Sequence, residues 1–426
     1  MTESQSRRTF LRSVAGGGAA VAATSVVGAC GADAADAGRT SPSKPAEPSA
    51  AAGTARFVDF DGTHQTGITA LPVPRLGLAA AFNAVASDRA ALREMFRSLT
   101  HELRGLMAGT PPVQRAAEYP PVDSGLLGET PQPDNLAGVV AVGSSLFDDR
   151  YGLAAERPTE LVEMPFLAND RLESDRSHGD LLVLLEADHP DTLQFAIRQL
   201  MRRTRRELVL RWLLDGYTRG ASRAGDRQAT PRNLMGFKDG TANLDPAEAS
   251  TMERYVWVQA DDGEPAWAVG GSYLAFRTIR MFVEFWDRTP LAEQQAIIGR
   301  HKISGAPLGA SDEFSVPDYT GDPDGRVVPL DAHIRLANPR TEATAGSLIL
   351  RRGFSFSGGF DRAGRLDQGL AFVSYQRSLA RGFMAVQARL SGEPLEEYIL
   401  PVGGGFFLAL PGTGGPDRFL ADALLG

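Results

Sequence analysis

Residues 233–246 read Asn-Leu-Met-Gly-Phe-Lys-Asp-Gly-Thr-Ala-Asn-Leu-Asp-Pro and place one carboxylate, Asp239, between Gly236 and Gly240. Glycines carry no Cβ, so such a backbone can approach a flat ligand closely, and an Asp-Gly step favours a tight turn that aims the carboxylate outward. The same composition also suits a plain surface turn after a helix. A calcium loop through Asp239, Asn243 and Asp245 is disfavoured, because the spacing is not that of an EF-hand.

Six histidines are available as ligands or bases: His64, His101, His178, His189, His301 and His333. A haem or metal ligand needs a partner for its second ring nitrogen and side chains that clamp the bound group. Only His333 has such company, in Asp331-Ala332-His333-Ile334-Arg335-Leu336-Ala337-Asn338-Pro339-Arg340, with Arg351 and Arg352 following at the end of an apolar run. His101 sits in a helical pattern, His189 precedes Pro190 at a helix start and His301 ends a helix, so each has an ordinary structural account. Zinc spacing, Gly-x-Ser-x-Gly, a phosphate-binding Walker loop and the dinucleotide glycine fingerprint are all absent, which removes support from those enzyme classes.

The elements that must position these groups follow from periodicity. Phe57–Phe60 reads as a short first strand, Leu76–Phe82 is an apolar run, and 88–106 has helical spacing with Ser87 as a candidate N-cap. Strands are predicted at 136–142 and 181–185, with a helix over 190–206. Its run Arg202, Arg203, Arg205 and Arg206 reads as a solvated face, with Leu208, Leu210, Trp212 and Leu213 continuing the same element. After 225 the pattern restarts. It has apolar and aromatic stretches at Tyr255–Val258 and 272–286, a helix from 291 to 300, strands near 347–351 and 369–375, a helix over 379–390 and a last strand at 406–410. Long irregular connections fill 107–135 and 303–330. The echo of strand-plus-helix order in the two halves predicts an α+β fold of two ferredoxin-like domains, 56–225 and 226–426, each an antiparallel sheet with helices on one face.

Composition agrees with a globular chain. The 426 residues are 43% hydrophobic and 23% charged, and a net charge of -8 argues against nucleic acid as the main partner. Residues 1–30 are not part of the fold. Ser6-Arg7-Arg8-Thr9-Phe10-Leu11-Arg12 followed by a short glycine-rich apolar run resembles a twin-arginine export signal, which predicts an extracytoplasmic protein, periplasmic or at the cell surface. The single cysteine, Cys30, rules out an intramolecular disulfide. Val27-Gly28-Ala29-Cys30 resembles a lipobox and admits two outcomes, acylation that anchors the chain as a lipoprotein or simple cleavage nearby. Residues 31–55 read as a low-hydrophobicity tether.

Several motifs in order resemble the dye-decolourising peroxidases (DyP type), and closely their exported EfeB-like deferrochelatase/peroxidase branch. They are Phe60-Asp61-Gly62-Thr63-His64-Gln65-Thr66-Gly67-Ile68, Gly236-Phe237-Lys238-Asp239-Gly240-Thr241-Ala242-Asn243, the His333 segment through Asn338-Pro339-Arg340, Leu350-Arg351-Arg352-Gly353-Phe354, and Pro394 to Phe407. The match spans about 56–415. It implies the DyP-type dimeric alpha-beta barrel superfamily fold, with one haem b per chain held by the second domain.

The resemblance further implies that His333 is the proximal iron ligand, with Glu397, or its neighbour Glu396, accepting from its second nitrogen. Asp239 is implied as the acid–base group and Arg351 as the stabiliser of developing charge. Gly240, Thr241, Ala242, Asn338, Pro339 and Arg340 match positions lining the haem, Arg340 suits a propionate, and Phe372 is a candidate wall residue. Aspartates ordinarily titrate near ~3.9, so such chemistry is expected to favour acidic pH. Hydrogen peroxide and a one-electron donor are the implied substrates, in a role that suits a response to oxidative stress. Bulky donors would be oxidised through surface residues, for which Trp257, Trp267, Tyr255 and Tyr375 are the candidates. The branch also implies an alternative, a haem-handling or iron-delivery component working with an iron permease system or an extracytoplasmic metal-binding lipoprotein. A homo-oligomer is compatible with either reading.

Overall fold

The computed structural model describes residues 56–219 and 230–426. The export signal, Cys30, the tether over 31–55 and the domain boundary expected at 225 therefore lie outside the described residues.

The first half runs β1 (Leu76–Ala84), α1 (Arg89–Met107), β2 (Ala137–Gly143), β3 (Leu181–Ala187), α2 (Pro190–Thr204) and β4 (Leu208–Tyr217). Its antiparallel strand order is β2-β3-β1-β4, the ferredoxin-like arrangement. Alternation along the strands explains both faces. Leu78, Ala80 and Phe82 pack with Leu92, Phe96 and Leu99 of α1 and Leu193, Ile197 and Leu200 of α2. Ala79 and Ala81 turn the other way, into a second core with Leu182 and Trp212.

The second half repeats the plan. After α3 (Ala249–Tyr255) come β5 (Ser272–Met281), α4 (Val283–Trp286), α5 (Leu291–Ile298), α6 (His333–Ala337), β6 (Leu350–Arg351), β7 (Phe354–Phe360), β8 (Leu366–Gln376), α7 (Ala385–Leu390) and β9 (Ile399–Ala409). β6 and β7 run in succession along β8, with Leu350 opposite Tyr375 and Phe354 opposite Ala371, so they amount to one strand interrupted at Arg352-Gly353. The order β9-β5-β8-β7 mirrors that of the first half. Two seams join the sheets. At one, Ala141–Gly143 of β2 pair with Phe407–Ala409 of β9; at the other, Tyr217 of β4 pairs with Ser355 of β7. With β5 paired to β8, the strand circuit closes on itself, and Leu274, Phe276, Leu350, Ala371, Val373 and Phe407 meet the first sheet's inner face in the shared core.

Three local expectations are corrected. Phe57–Phe60 is not a strand, although it lies beside ordered structure. Residues 208–217 leave the helix and form β4, whose β-branched, aromatic and leucine content pairs along β1. Asp88, not Ser87, caps α1, its carboxylate accepting from Ala91 N at 2.8 Å. Among the described residues no helix is long and apolar enough to cross a membrane.

Candidate active site

The face of the second sheet turned away from the shared core carries Arg277 and Ile279 from β5, Leu370 and Phe372 from β8, and Ile399 from β9. Together with α5, α6, α7 and the Asp239 loop they enclose a mostly apolar cavity of about 420 Å³. Asp239, His333 and Arg351, drawn from two stretches of the sequence far apart along the chain, all line it.

The Asp239 loop is a tight excursion closed by Asp239 N–H donating to Pro231 O at 2.8 Å and Asn233 N–H to Phe237 O at 3.0 Å. Gly236 and Gly240 adopt φ of 85° and 131°, conformations that L side chains rarely take. Their surroundings differ: a Cβ on Gly236 would meet Lys302 Cε at 2.6 Å, outside the cavity, whereas only Gly240 of the two lines it. The turn thus delivers the Asp239 carboxylate into the cavity, where Oδ1 accepts from Arg351 Nη1 at 2.5 Å and Oδ2 from Asn233 Nδ2 at 3.4 Å.

Arg351 is aimed by strand alternation. Leu350 faces the shared core and Arg351 the cavity, while Arg352 turns back inward and pairs with Glu186 of β3. Asn243 fixes the backbone at this point, its Oδ1 accepting from Arg351 N–H and its Nδ2 donating to Arg351 O, both at 2.8 Å.

On the cavity's other side, His333 opens α6. Its Nδ1 lies 2.8 Å from Glu393 Oε2, and that carboxylate is only 3% exposed. Glu393, not Glu397 or Glu396, is therefore the acid that partners His333. The chain turns at Pro394, which leaves Glu393 as the inward-facing residue before a 3₁₀ turn while Glu397 projects to solvent and does not line the cavity. Burial alone would push the His333 imidazole down, but the Glu393 charge and hydrogen bond outweigh it and the pKa is raised above the usual histidine value. The second ring nitrogen, Nε2, has no hydrogen-bond partner among the described residues, and the ring stays 34% exposed to the cavity.

Gly240, Thr241, Ala242, Asn338, Arg340 and Phe372 line the same cavity; Pro339 does not. Arg340 sits at φ 58° with its N–H donating to Asn338 Oδ1 at 3.2 Å. Arg300, unremarked in the sequence, also lines the wall. Burial pulls its pKa down, and its Nη1 donates to Gly305 O at 2.6 Å and Glu313 O at 3.0 Å. Nearby Tyr319 has its hydroxyl pushed up by burial, and the Arg335 guanidinium stands 4.8 Å over its ring. Asn243 and Glu393 were also missed as site residues. Asn243 belongs to the Gly236–Asn243 motif but has no role beyond the disfavoured calcium loop, and Glu393 is marked in the sequence only as an acid immediately before a helix-starting proline.

The surface-oxidation candidates fare differently. Trp257, Trp267 and Tyr375 are buried, Trp257 stacked on His64 at 4.0 Å, and only Tyr255 is partly exposed. Among the described residues no group of three or more His, Cys, Asp and Glu gathers to hold an ion.

Comparison with known proteins identifies the family. Residues 65–218 match the family described as Dyp-type peroxidase, N-terminal, and residues 230–414 the family described as Dyp-type peroxidase, C-terminal. The chain is 48% identical over 367 residues to the deferrochelatase of Escherichia coli (strain K12), covering 86% of each chain. It is likewise 48% identical to that of Shigella flexneri, covering 86% of this chain and 87% of the relative. Among solved structures, ferric DtpA from Streptomyces lividans superposes with a TM-score of 0.77 at 34% identity, covering 87% of this chain and 97% of that one. A DyP-type peroxidase from Cellulomonas bogoriensis gives a TM-score of 0.77 at 31% identity, covering 87% and 98%. With both of its halves matched, this chain belongs to the Dyp-type peroxidase family of haem-binding enzymes.

Proposed function

We propose that the chain reduces hydrogen peroxide at a haem b held in this cavity, drawing the electrons one at a time from a separate donor. The observation that carries the reading is the pairing of Asp239 with Arg351 and of His333 with Glu393 around one apolar cavity.

The residues fit such a group. His333 Nδ1 is committed to Glu393, which leaves Nε2 free as a ligand atom, and Arg340 and Arg300 line the wall where carboxylates of a planar group can be matched. Bound haem would supply the redox centre at which the peroxide O–O bond is broken. The chain's own residues do the proton work. Asp239 takes the proton from one peroxide oxygen and returns it to the other, which departs as water. Arg351 presents a fixed positive charge to that departing oxygen, and Asn243 keeps the arginine's backbone from shifting as the charge develops. Glu393 holds the His333 ring in one orientation and makes it a stronger electron donor. The apolar wall excludes water from the exchange.

The relatives named deferrochelatase favour a second reading, in which the same cavity handles haem for iron release. Export by the twin-arginine route, attachment through Cys30, an iron-permease or metal-binding lipoprotein partner, homo-oligomerisation and a part in the oxidative-stress response belong to the proposal on sequence grounds; intact mass of the exported form decides Cys30.

The experiment is an absorption spectrum of haem-reconstituted protein before and after one equivalent of peroxide. A one-to-one complex whose spectrum changes within mixing time and returns on adding a donor supports the peroxidase reading. A complex that ignores peroxide but loses iron would favour the haem-handling reading, and failure to bind haem would overturn both.

A further inference from the structure

The loop that carries Asp239 has no place in the sheet. Among the described residues its one ladder contact is an isolated bridge between Arg232 and Lys238, within the loop itself. It is braced from outside by the irregular stretch that follows α5. The Arg232 guanidinium donates to the carbonyls of Lys302 at 2.6 Å and Ile303 at 2.5 Å. Gly305, at φ 78°, lies so close that a Cβ there would meet Lys238 Cδ at 2.6 Å.

The central contact is Glu313. Its carboxylate is 8% exposed and receives the Lys238 ammonium, Thr230 Oγ1 at 2.5 Å and Thr241 Oγ1 at 2.9 Å. Those donors flank Asp239 on both sides in the chain, one residue before it, two after it, and one at the loop's entrance. Glu313 is itself held, since Arg300 donates to its carbonyl. A carboxylate offers about four acceptor sites, and here three are filled by loop donors, one of them charged. These contacts hold the Glu313 carboxyl below the usual range against burial, which would raise it.

We propose that Glu313 is a positioning residue for the acid–base carboxylate: by gathering Thr230, Lys238 and Thr241 it sets the aim of Asp239 at Arg351 from outside the cavity. The role rests on the peroxidase reading for its catalytic meaning, but the latch is a property of the chain. Glu313 does not line the cavity and among the described residues has no hydrogen bond or ion pair to His333 or Glu393, so releasing it disturbs the Asp239 side and spares the His333 side.

The test uses haem-loaded Glu313→Gln, Lys238→Met and the double variant. A misplacement of the acid on the ångström scale costs on the order of 10- to 100-fold in rate, so Glu313→Gln is expected to slow the reaction with peroxide by that factor. It should also weaken binding of fluoride to the ferric protein and speed amide exchange across 236–243. Haem content and exchange across 333–337 should stay as in the wild type. The double variant, which leaves no unpaired charge, should lose less than the product of the single losses. Unchanged rate, fluoride affinity and loop exchange in Glu313→Gln would overturn the proposal, as would a loss of protection spread equally over 236–243 and 333–337. If the wild type itself does not react with peroxide, the peroxidase reading falls, while fluoride affinity and loop exchange still decide the latch.

Discussion

Replacing Glu393 by Gln keeps the side chain's size and an oxygen in reach of His333 Nδ1, and removes only the charge. The bond is 2.8 Å long and the carboxylate 3% exposed, so solvent screens it little. Hydrogen bonds to charged groups are worth roughly 1.5–3 kcal/mol against roughly 0.5–1.5 for neutral ones, so the substitution removes about 1–1.5 kcal/mol of preference for the electron-rich imidazole. That preference favours oxidised iron. For one electron, about 59 mV corresponds to a tenfold change in equilibrium, which places the expected rise in the ferric/ferrous midpoint potential at about 40–70 mV. Spectroelectrochemical titration of the haem-loaded protein reads it directly, with Glu397→Gln as the control that should not move. A potential unchanged or lowered in Glu393→Gln, or a rise in the Glu397 control, would refute the assignment of Glu393 as the histidine's partner.

In the haem-free protein the same pair makes stability depend on pH. The folded pKa of His333 is raised above 6.5, so the pair's contribution is fully present below that value and lost as pH rises through the raised one; urea midpoints should fall over that window in the wild type and stay flat in Glu393→Gln. Glu313 has the opposite sign, its depressed pKa giving stability present above the ordinary carboxylate value and lost as pH falls through the folded one, so Glu313→Gln should blunt the acid limb of the same curve. Asn243→Ala leaves two backbone groups of Arg351 without their partners, costing about 1–3 kcal/mol in denaturant unfolding and slowing the peroxide reaction in stopped flow. Glu186→Ala strands the buried Arg352 charge between the two sheets and should cost about 3–5 kcal/mol in the same unfolding measurement, with haem binding retained below the transition.

Much of this is legible in the sequence. The two-fold echo of strand and helix order marked the paired ferredoxin-like halves, because apolar periodicity survives in each element. Asp239, His333 and Arg351 stood out through motif company. What escaped was decided by long-range geometry. β4 was hidden because Leu208–Leu213 directly continue an arginine-rich helix, and only pairing with β1 makes them a strand. Glu393 was passed over for Glu397 because three acids lie within five residues and nothing local says which turns inward once Pro394 bends the chain. Glu313 sits in a polar stretch without periodicity, and its meaning depends on three donors it meets only in space. The buried tryptophans show the same limit, since composition does not tell a core ring from a surface one.

The central claim is that Asp239, aimed by Arg351, moves the proton at the reacting peroxide. Stopped-flow mixing of haem-loaded Asp239→Asn with peroxide across pH tests it most directly. Loss of a positioned acid–base group predicts a second-order rate lower by about 10²–10⁴-fold, with the wild type's carboxylate-dependent pH profile gone and haem content unchanged. A variant that reacts at the wild-type rate with the same pH profile would contradict the account.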